Sequence, residues 1–217
     1  MNFPVCPEWE YDHHPNRSTI LQQRTADLLV RLREGLIDTL QNIIDTRQVH
    51  GFLFNELAPS NHQYFDGHYR GELFLCLRTC LVGVGSDKRV GFHPAIVEEK
   101  MVQFSELIQL GINGLDRTHS LPDQEFLPED KLINTVAFAC RVFEEFLRVH
   151  PYANGNGHAA RFMIWAILVR YGYFPEQFPI EPRPFFPGYT DAIIKYRDGD
   201  PEPLESYILG CIVYPGS

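Results

Sequence analysis

The sequence has no hydrophobic run long enough to cross a membrane. Its longest apolar stretch, Phe162 to Val169, is eight residues long and is closed by arginine on both sides, whereas a membrane-spanning helix needs about 20 apolar residues. The opening residues, MNFPVCPEWEYDHHPNRS, also lack the basic segment and apolar centre of a secretory signal. We therefore predict no membrane partner and no export by the secretory route.

The chain has fewer positively charged than negatively charged residues. The chain carries 19 lysines and arginines against 28 aspartates and glutamates, and its formal net charge at pH 7 is -9. A field of this sign opposes loose binding to DNA, RNA or an anionic lipid surface. The composition therefore predicts no nucleic-acid partner, while local positive sites remain compatible with it.

Cysteines are few, odd in number and poorly spaced for a metal. Only Cys76 and Cys80, of the five cysteines, lie close together, and they form neither a CxxC pair nor half of a four-ligand set. This pattern predicts reduced thiols, no structural zinc and a cytoplasmic location.

Helical periodicity dominates the rest of the 217 residues, of which 44% are apolar and 22% charged. The length allows one sizeable domain. Apolar residues recur at helical spacing in seven segments, which cover residues 18–46 with a break near Gly35, 49–57, 95–110, 129–149, 158–171, 189–196 and 202–212. The glycine-containing segment 81–92 has the apolar flanks and polar tip of a β-hairpin. The predicted fold class is mainly α with one hairpin.

The stretch HPYANGNGHAAR, from His150 to Arg161, stands between two apolar helices. Pro151 disfavours helix at His150, so the histidine should lie where the first helix gives way to a loop. The glycines permit tight turns, and the loop leads directly into the start of the next helix. Unpaired backbone N–H groups at a helix start favour an anion, of which phosphate is the obvious candidate.

Two further side chains fit a phosphate site. Arg161 follows His158 by three positions, so both share one face of the first helical turn, and the arginine fork suits a phosphate. His150 titrates near neutrality and can take a proton from an incoming hydroxyl. These residues together indicate phosphoryl or nucleotidyl transfer. The same letters also fit a plain turn between helices, with His150 as a cap and Arg161 in an ion pair.

The stretch resembles the signature of the Fic family, HxFx(D/E)GNGRxxR. The matching positions are His150, Tyr152, Gly155, Asn156, Gly157 and Arg161. The similarity extends to VHGFLF and GHYRG upstream, to the hairpin segment, which resembles the family's flap, and to the closing pair of helices. It covers roughly residues 48–213. We accordingly divide the chain into an N-terminal arm and helical extension, 1–47, and a Fic-type helical domain, 48–217.

The resemblance implies a protein adenylyltransferase. Family members transfer AMP from ATP, with Mg²⁺ or Mn²⁺, to a Ser, Thr or Tyr hydroxyl of a protein target. By the matching positions, His150 is the base, Gly155, Asn156 and Gly157 form the phosphate cradle, and Arg161 binds phosphate. Asn154 and His158 stand at the remaining nucleotide-binding positions of the motif, and Asn154 at its metal position.

Those last two residues depart from the signature. Asn154 replaces an acidic residue and offers the metal an oxygen without charge, and His158 replaces an arginine and offers no bidentate fork. Both changes weaken a phosphate clamp, so the alternative is a catalytically silent module or one that uses another phosphate-containing donor. Restoring Asp or Glu at position 154 and Arg at position 158 is predicted to raise ATP affinity or rate about 10- to 100-fold.

A restraining element is also typical of the family. Many members carry a helix with (S/T)xxxE(G/N), whose glutamate pairs with the second motif arginine. Here Glu34 and Gly35 match, but Val30 stands in place of the hydroxyl residue. The default reading of Glu34 is an exposed helical charge, and inhibition by a separate antitoxin chain stays open.

Overall fold

The computed structural model describes residues 6–9, 13–85, 87–184 and 188–212. In this part of the chain the fold is mainly α, as predicted. Eight α-helices are described: α1 (Arg17–Arg33), α2 (Thr39–Ile44), α3 (Arg47–Phe54), α4 (Val97–Ser120), α5 (Pro128–Val149), α6 (Asn156–Arg170), α7 (Tyr189–Arg197) and α8 (Glu202–Gly210). The long connection between α3 and α4 contains short 3₁₀ helices at Gln63–Phe65, Leu77–Thr79 and Pro94–Ile96.

The first predicted helix is divided where the glycine stands. Gly35 adopts φ +68°, a left-handed conformation that stops α1 two residues earlier and that a side chain tolerates poorly. The Asp38 side chain then accepts the Gln41 amide and caps the start of α2. Both helices place leucines and isoleucines against the core, as their spacing predicts.

Helix α4 continues ten residues beyond its predicted end near Leu110. Gly111 directly follows that residue, and a Cβ at this position would lie 1.9 Å from the Phe138 ring on α5. The glycine is therefore a close-packing site between two long helices. Sequence propensity at Gly111 was overridden by this tertiary contact.

Helix α6 is the centre of the molecule. Nearly all of its residues are buried, because its apolar side chains leave no polar face for solvent. It packs chiefly against α5, and also against α1, α2 and α3. None of the helices in the described ranges has the length and apolar character of a membrane span.

The two strands predicted within 81–92 are absent from the described residues of that segment. Val84 and Asp87 form one isolated antiparallel bridge, and Ser86 at the expected tip lies outside the described residues. The segment instead forms a loop, whose Gly91 donates its amide to Arg148 O at 2.9 Å. Backbone contacts of this kind hold the loop against the end of α5 without a paired strand.

The prediction of reduced thiols throughout is wrong for one pair. Cys6 and Cys76 form a disulfide with their Cα atoms 5.5 Å apart, across 70 residues of sequence. Cys80, Cys140 and Cys211 remain free. A single distant pair leaves no spacing pattern in a sequence with five cysteines, so the cysteine count alone was misleading.

Candidate functional site

His150 lies at the end of α5 in a left-handed conformation, with φ +53° and ψ +58°. Arg70 holds this unusual backbone. Its Nε and Nη2 donate to His150 O at 2.9 and 2.7 Å, and its Nη2 also reaches Val149 O at 3.2 Å. Because Arg70 is almost fully buried, its guanidinium ties the turn to the interior and fixes where the His150 ring can point.

The imidazole of His150 is set up as a neutral base. Its Nδ1 lies 3.0 Å from Leu147 O. A carbonyl can only accept, so Nδ1 carries the proton and Nε2 keeps a free lone pair. Burial lowers the pKa of His150 to about 4, against the opposing hydrogen bond to Leu147, and the nearby Arg70 and Arg197 charges lower it further. The ring is therefore unprotonated at neutral pH.

The loop after His150 is closed by the side chain of Asn156. Its Oδ1 accepts the Tyr152 amide and its Nδ2 donates to Tyr152 O, both at 2.9 Å. Tyr152 is fully buried and shares a 2.7 Å hydrogen bond with Thr46. Asn156 thus shapes the loop by its side chain, and only its backbone amide remains for a ligand.

His50 supports the same loop from α3. Its ring stacks on Tyr152 at a centroid distance of 3.6 Å, and its Nε2 donates to Asn154 O at 3.0 Å while Nδ1 accepts the Gly67 amide. Burial lowers the pKa of His50 to about 3, and the hydrogen bond to Asn154 opposes that effect. A neutral His50 is therefore part of the scaffold.

Gly155 is required where it stands. Its φ is +78°, and a Cβ there would lie 2.5 Å from the Phe54 ring and 2.9 Å from His50 Nε2. Both conformation and space exclude a larger residue. Gly155 is the residue immediately before α6, so this close approach seats the helix start against α3.

The first turn of α6 faces the site with its backbone. Within the described residues, the amides of Asn156 and Gly157 have no hydrogen-bond acceptor, as expected at a helix start. Arg161 extends beside them, since its Nη1 lies 3.1 Å from the point where a Gly157 Cβ would be. Its Nε donates to Ile180 O at 2.7 Å. Amides, helix dipole and guanidinium together favour an anion.

Asn154 is held by both ends of its side-chain amide. Its Nδ2 donates to Trp9 O at 2.7 Å, and its Oδ1 accepts the amide of Gly155 at 2.8 Å. Trp9 belongs to the short segment before α1. The residue at the motif's metal position is therefore oriented by protein contacts on each side.

His158 is held by a glutamate that lies 23 residues further along the chain. Its Nε2 lies 2.7 Å from Glu181 Oε2, and Glu181 Oε1 lies 3.2 Å from a nitrogen of Arg17. Burial lowers the pKa of His158, although the Glu181 hydrogen bond works against this. Burial pushes the pKa of Glu181 upward, but the hydrogen bond to His158 and the nearby cations bring it below its usual value. We assign a neutral His158 that donates to an ionised Glu181.

One cavity of about 630 Å³ brings all seven predicted site residues together: His150, Asn154, Gly155, Asn156, Gly157, His158 and Arg161. Four arginines line it, against two carboxylates, those of Asp87 and Glu181. Both carboxylates form ion pairs with arginine. Because the whole chain has a net charge of -9, the cavity is a local exception that suits an anionic ligand.

Sequence reasoning missed the residues that support this site from other segments. Trp9, Arg17 and Glu181 each lie far from the motif in sequence, and no spacing signal links them to it. Arg70 and His50 stand within the quoted segments GHYRG and VHGFLF, so a signal existed, but the sequence did not reveal what they bind. Glu34 directly follows α1, at the other end of this helix from Arg17. It is exposed and does not line the cavity.

The described residues contain no group of three or more His, Cys, Asp or Glu side chains that could hold a metal ion. In the cavity, Asn154 Oδ1 is the one oxygen at the predicted metal position, and it already accepts a hydrogen bond. Mg²⁺ is usually bound by one or two carboxylates together with substrate phosphates and water. The protein's own residues thus fit a metal only as one weak, neutral ligand.

No protein-family model matches the chain, and a search of curated proteins finds no match either.

Proposed function

We propose that the protein is a Fic-type protein adenylyltransferase, which moves AMP from ATP to a Ser, Thr or Tyr hydroxyl of a protein target. One observation carries the proposal. A single cavity joins an unprotonated histidine, the free amides of a helix start and a buried arginine. These are a base and an anion site within one space, which transfer of a phosphate-containing group requires.

His150 is the base in this proposal. Its Nε2 takes the proton of the target hydroxyl as the hydroxyl oxygen forms a bond to the α-phosphorus of ATP. The bond from that phosphorus to the bridging oxygen breaks, and pyrophosphate leaves with the electron pair. Removing a positioned general base typically costs 10²- to 10⁴-fold in rate. The hydrogen bond from Nδ1 to Leu147 O leaves the lone pair on Nε2, the nitrogen that takes the proton.

The donor's phosphates are placed against the start of α6. The amides of Asn156 and Gly157 and the guanidinium of Arg161 supply the donors, and Arg183 adds a cation at the rim, where it bonds Thr190 and covers the Tyr189 ring. Mg²⁺ or Mn²⁺, arriving with the nucleotide, would neutralise phosphate charge and take Asn154 Oδ1 as its ligand. The chain offers this ion no unpaired carboxylate among the described cavity residues.

The target side of the cavity is assigned to the loop 81–92, in the place where the family resemblance implies a flap. Val84, Gly85, Asp87 and Val90 of this loop line the cavity together with His150. Asp87 is fixed by hydrogen bonds from Arg89 and Arg197, which lower its pKa. A target segment lying along this loop can present its hydroxyl to His150.

The test is a mass-spectrometric search of lysate proteins for phosphate-containing adducts. Lysate is incubated with ATP and Mg²⁺ or Mn²⁺ and either wild type or His150→Ala. AMP adducts on hydroxyl side chains are expected with wild type and not with the variant, while circular dichroism of the two proteins stays the same. Equal adducts with both proteins would remove the assigned base.

The second candidate is a catalytically silent or altered-donor module. It is favoured by the contacts of Asn154 and His158, which replace the acid and the arginine of the signature. Both side chains are bonded to other groups of the protein. Calorimetry that shows nucleotide binding, with no AMP adduct across several lysates, would support it. Adducts of another phosphate-containing group would identify an altered donor.

Control by a separate antitoxin chain and action in the cytoplasm remain part of the proposal. ATP as donor favours the cytoplasm, whereas disulfides are typical of oxidising compartments, so the Cys6–Cys76 pair argues the other way. Non-reducing mass spectrometry of protein taken from the cytoplasm settles which applies. Finding both thiols free there would fit the proposed location.

A further inference from the structure

The segment before α1, together with the first residue of that helix, is packed against the body of the protein. We call residues 6–9 and 13–17 the N-terminal strap. The Cys6–Cys76 disulfide joins its beginning to the core, and Trp9 is only 6% exposed and donates its Nε1 to Leu57 O at 2.8 Å. The Trp9 ring also meets three aromatic rings edge-on, those of His50, Phe54 and Phe65. Such contacts belong to a packed element.

The strap reaches the first departure from the motif directly. Trp9 O accepts the Nδ2 hydrogen of Asn154, while Oδ1 of the same amide accepts from Gly155. An aspartate in this position has no hydrogen to give, and its oxygen would face the Trp9 carbonyl oxygen. The contact therefore accounts for an amide where the signature has an acid.

The strap reaches the second departure through one intermediate. Arg17 pairs with Glu181, and Glu181 holds His158. The side chains of Glu181 and His158 are 3% and 5% exposed, and that of Arg17 is 25% exposed, so the charge of Arg17 acts on a nearly buried pair. The charge of Arg17 also lowers the pKa of His158. Arg17 lines the cavity as well.

We propose that the N-terminal strap is part of the donor site, with Trp9 and Arg17 as positioning residues for Asn154 and His158. This inference rests on the proposed function. The two motif positions that depart from the signature are the two that the strap engages. Asn154 and His158 are thus matched to Trp9 and to the Arg17–Glu181 pair, and the site is completed by residues from outside the motif.

The first test is Arg17→Gln, with Arg31→Gln as the matched control. Arg31 lies on the same helix and pairs with Asp27, away from the cavity. ATP and, separately, inorganic pyrophosphate are titrated by calorimetry between pH 5.5 and 8.5. At pH 8 we expect Arg17→Gln to bind both about 5-fold more weakly, because a nearby cation is lost. Arg31→Gln should bind as wild type does.

The pH dependence separates positioning from simple loss of structure. Since the Arg17 charge lowers the pKa of His158, its removal raises that pKa. The protonated ring attracts phosphate, so the pH below which binding strengthens should move upward in Arg17→Gln. The same pH profile in Arg17→Gln, Arg31→Gln and wild type would overturn the inference.

The second test uses the fluorescence of Trp9. The chain has two tryptophans, so a Trp165→Phe background leaves Trp9 as the only reporter. Asn154→Asp should shift its emission to the red as the strap loosens. Asn42→Asp, which removes a similar amide-to-carbonyl bond on α2, should not. An unchanged Trp9 emission in Asn154→Asp would overturn the inference.

These outcomes are distinct from failure of the proposed function. Binding of ATP and pyrophosphate without AMP transfer would defeat the proposed reaction and leave the strap to be judged by Arg17→Gln and Asn154→Asp. Transfer that is insensitive to Arg17→Gln would support the reaction and defeat the strap. A wild-type protein that binds neither ATP nor pyrophosphate would defeat both.

Discussion

The two ends of the cavity are held in different ways. At the His150 end, the fixing contacts go to backbone carbonyls, namely from Arg70 to His150 O and from the His150 ring to Leu147 O. At the His158 end, they join side chains from three separate elements, because Arg17 on α1 holds Glu181 in a loop, which holds His158 on α6. One end is fixed through backbone carbonyls, and the other through pairs of side chains.

This difference explains where substitution is tolerated. A backbone carbonyl is present whatever residue carries it, so the His150 end demands only the correct helix ending and a buried arginine. A side-chain pair must change together, since removing one member leaves the other buried and uncompensated. The departures Asn154 and His158 both lie at positions whose side chains bond groups that are far from the motif in sequence. The four predictions below test this contrast in order of decreasing effect.

The largest effect is expected for Arg70→Gln. Arg70 donates to three backbone carbonyls, those of Val149, His150 and Cys80. Its loss removes these hydrogen bonds. Hydrogen bonds to a charged group contribute about 1.5–3 kcal/mol each, so the free energy of unfolding should fall by roughly 3 kcal/mol or more. AMP transfer should fall at least about 100-fold as His150 leaves its left-handed position.

The control for Arg70 is Arg78→Gln. Arg78 is exposed and lies eight residues further along the chain. Its substitution should change the free energy of unfolding by less than about 0.5 kcal/mol. Urea denaturation of both variants measures the difference, and equal stability of the two would show that Arg70 does not fix the turn.

Gly155→Ala is expected to be the next most damaging change. An alanine at this position has to adopt φ +78°, and its Cβ would lie 2.5 Å from the Phe54 ring. The strained backbone and the close contact together should cost roughly 2–3 kcal/mol of stability. Gly172→Ala is the matched control, because Gly172 has φ +80° and open space around it. Thermal unfolding that ranks Gly172→Ala as equal or worse would contradict the claimed close approach.

Much of the fold was predictable from the sequence, for a physical reason. Helices such as α5 and α6 carry long, regular apolar patterns between Pro128 and Gly172, and burial of such patterns decides their structure. The loop 81–92 was predicted as a hairpin because apolar flanks and glycines are shared by hairpins and by loops. Its hydrogen bond to Arg148 O is a long-range contact that no local pattern contains.

The site was predictable only where the motif is contiguous. His150, Gly155 and Arg161 lie within twelve residues, so their meeting at one helix start follows from helix geometry. The partners of Asn154 and His158 come from residues 9, 17 and 181. Their approach depends on the packing of the complete chain, and the Cys6–Cys76 disulfide that secures the strap was hidden by the odd cysteine count.

Acid should destabilise the His150 end in a defined pH range. The pKa values of His50 and His150 are lowered by burial to about 3 and about 4, from an unfolded value of about 6.5. The unfolded chain therefore binds more protons below pH 6.5, and stability is lost as the pH falls from 6.5 toward 4. Each histidine contributes up to about 1.4 kcal/mol per pH unit.

His50→Gln separates the two contributions. A glutamine can donate to Asn154 O and accept from Gly67, and it does not titrate. The variant should lose part of the change in unfolding free energy between pH 6.5 and 5.5, as measured by urea titration, while His150 and His158 supply the remainder. If its pH dependence equals that of wild type, His50 is not a buried neutral group.

The smallest effect is expected for restoring the signature at its two departures. Sequence reasoning predicted a gain in ATP affinity, but Asn154→Asp loses the bond to Trp9 O, and an arginine at position 158 would pair with Glu181. With these contacts in place, we expect less than about a threefold change in ATP affinity for either substitution. Calorimetry decides, and a tenfold gain from His158→Arg alone would show that Glu181 does not neutralise this position.

The most direct test of the central claim is transfer of label from ATP to protein, with the label in either the α- or the γ-phosphate. Wild type and His150→Ala are each incubated with both forms of ATP, a divalent metal ion and lysate. The account predicts protein labelling from α-labelled ATP by wild type, no labelling from γ-labelled ATP above that of lysate alone, and at least about a 100-fold loss of α-labelling in His150→Ala. Labelling from the γ-phosphate above the lysate background, or equal labelling from α-labelled ATP by the two proteins, would contradict AMP transfer with His150 as its base.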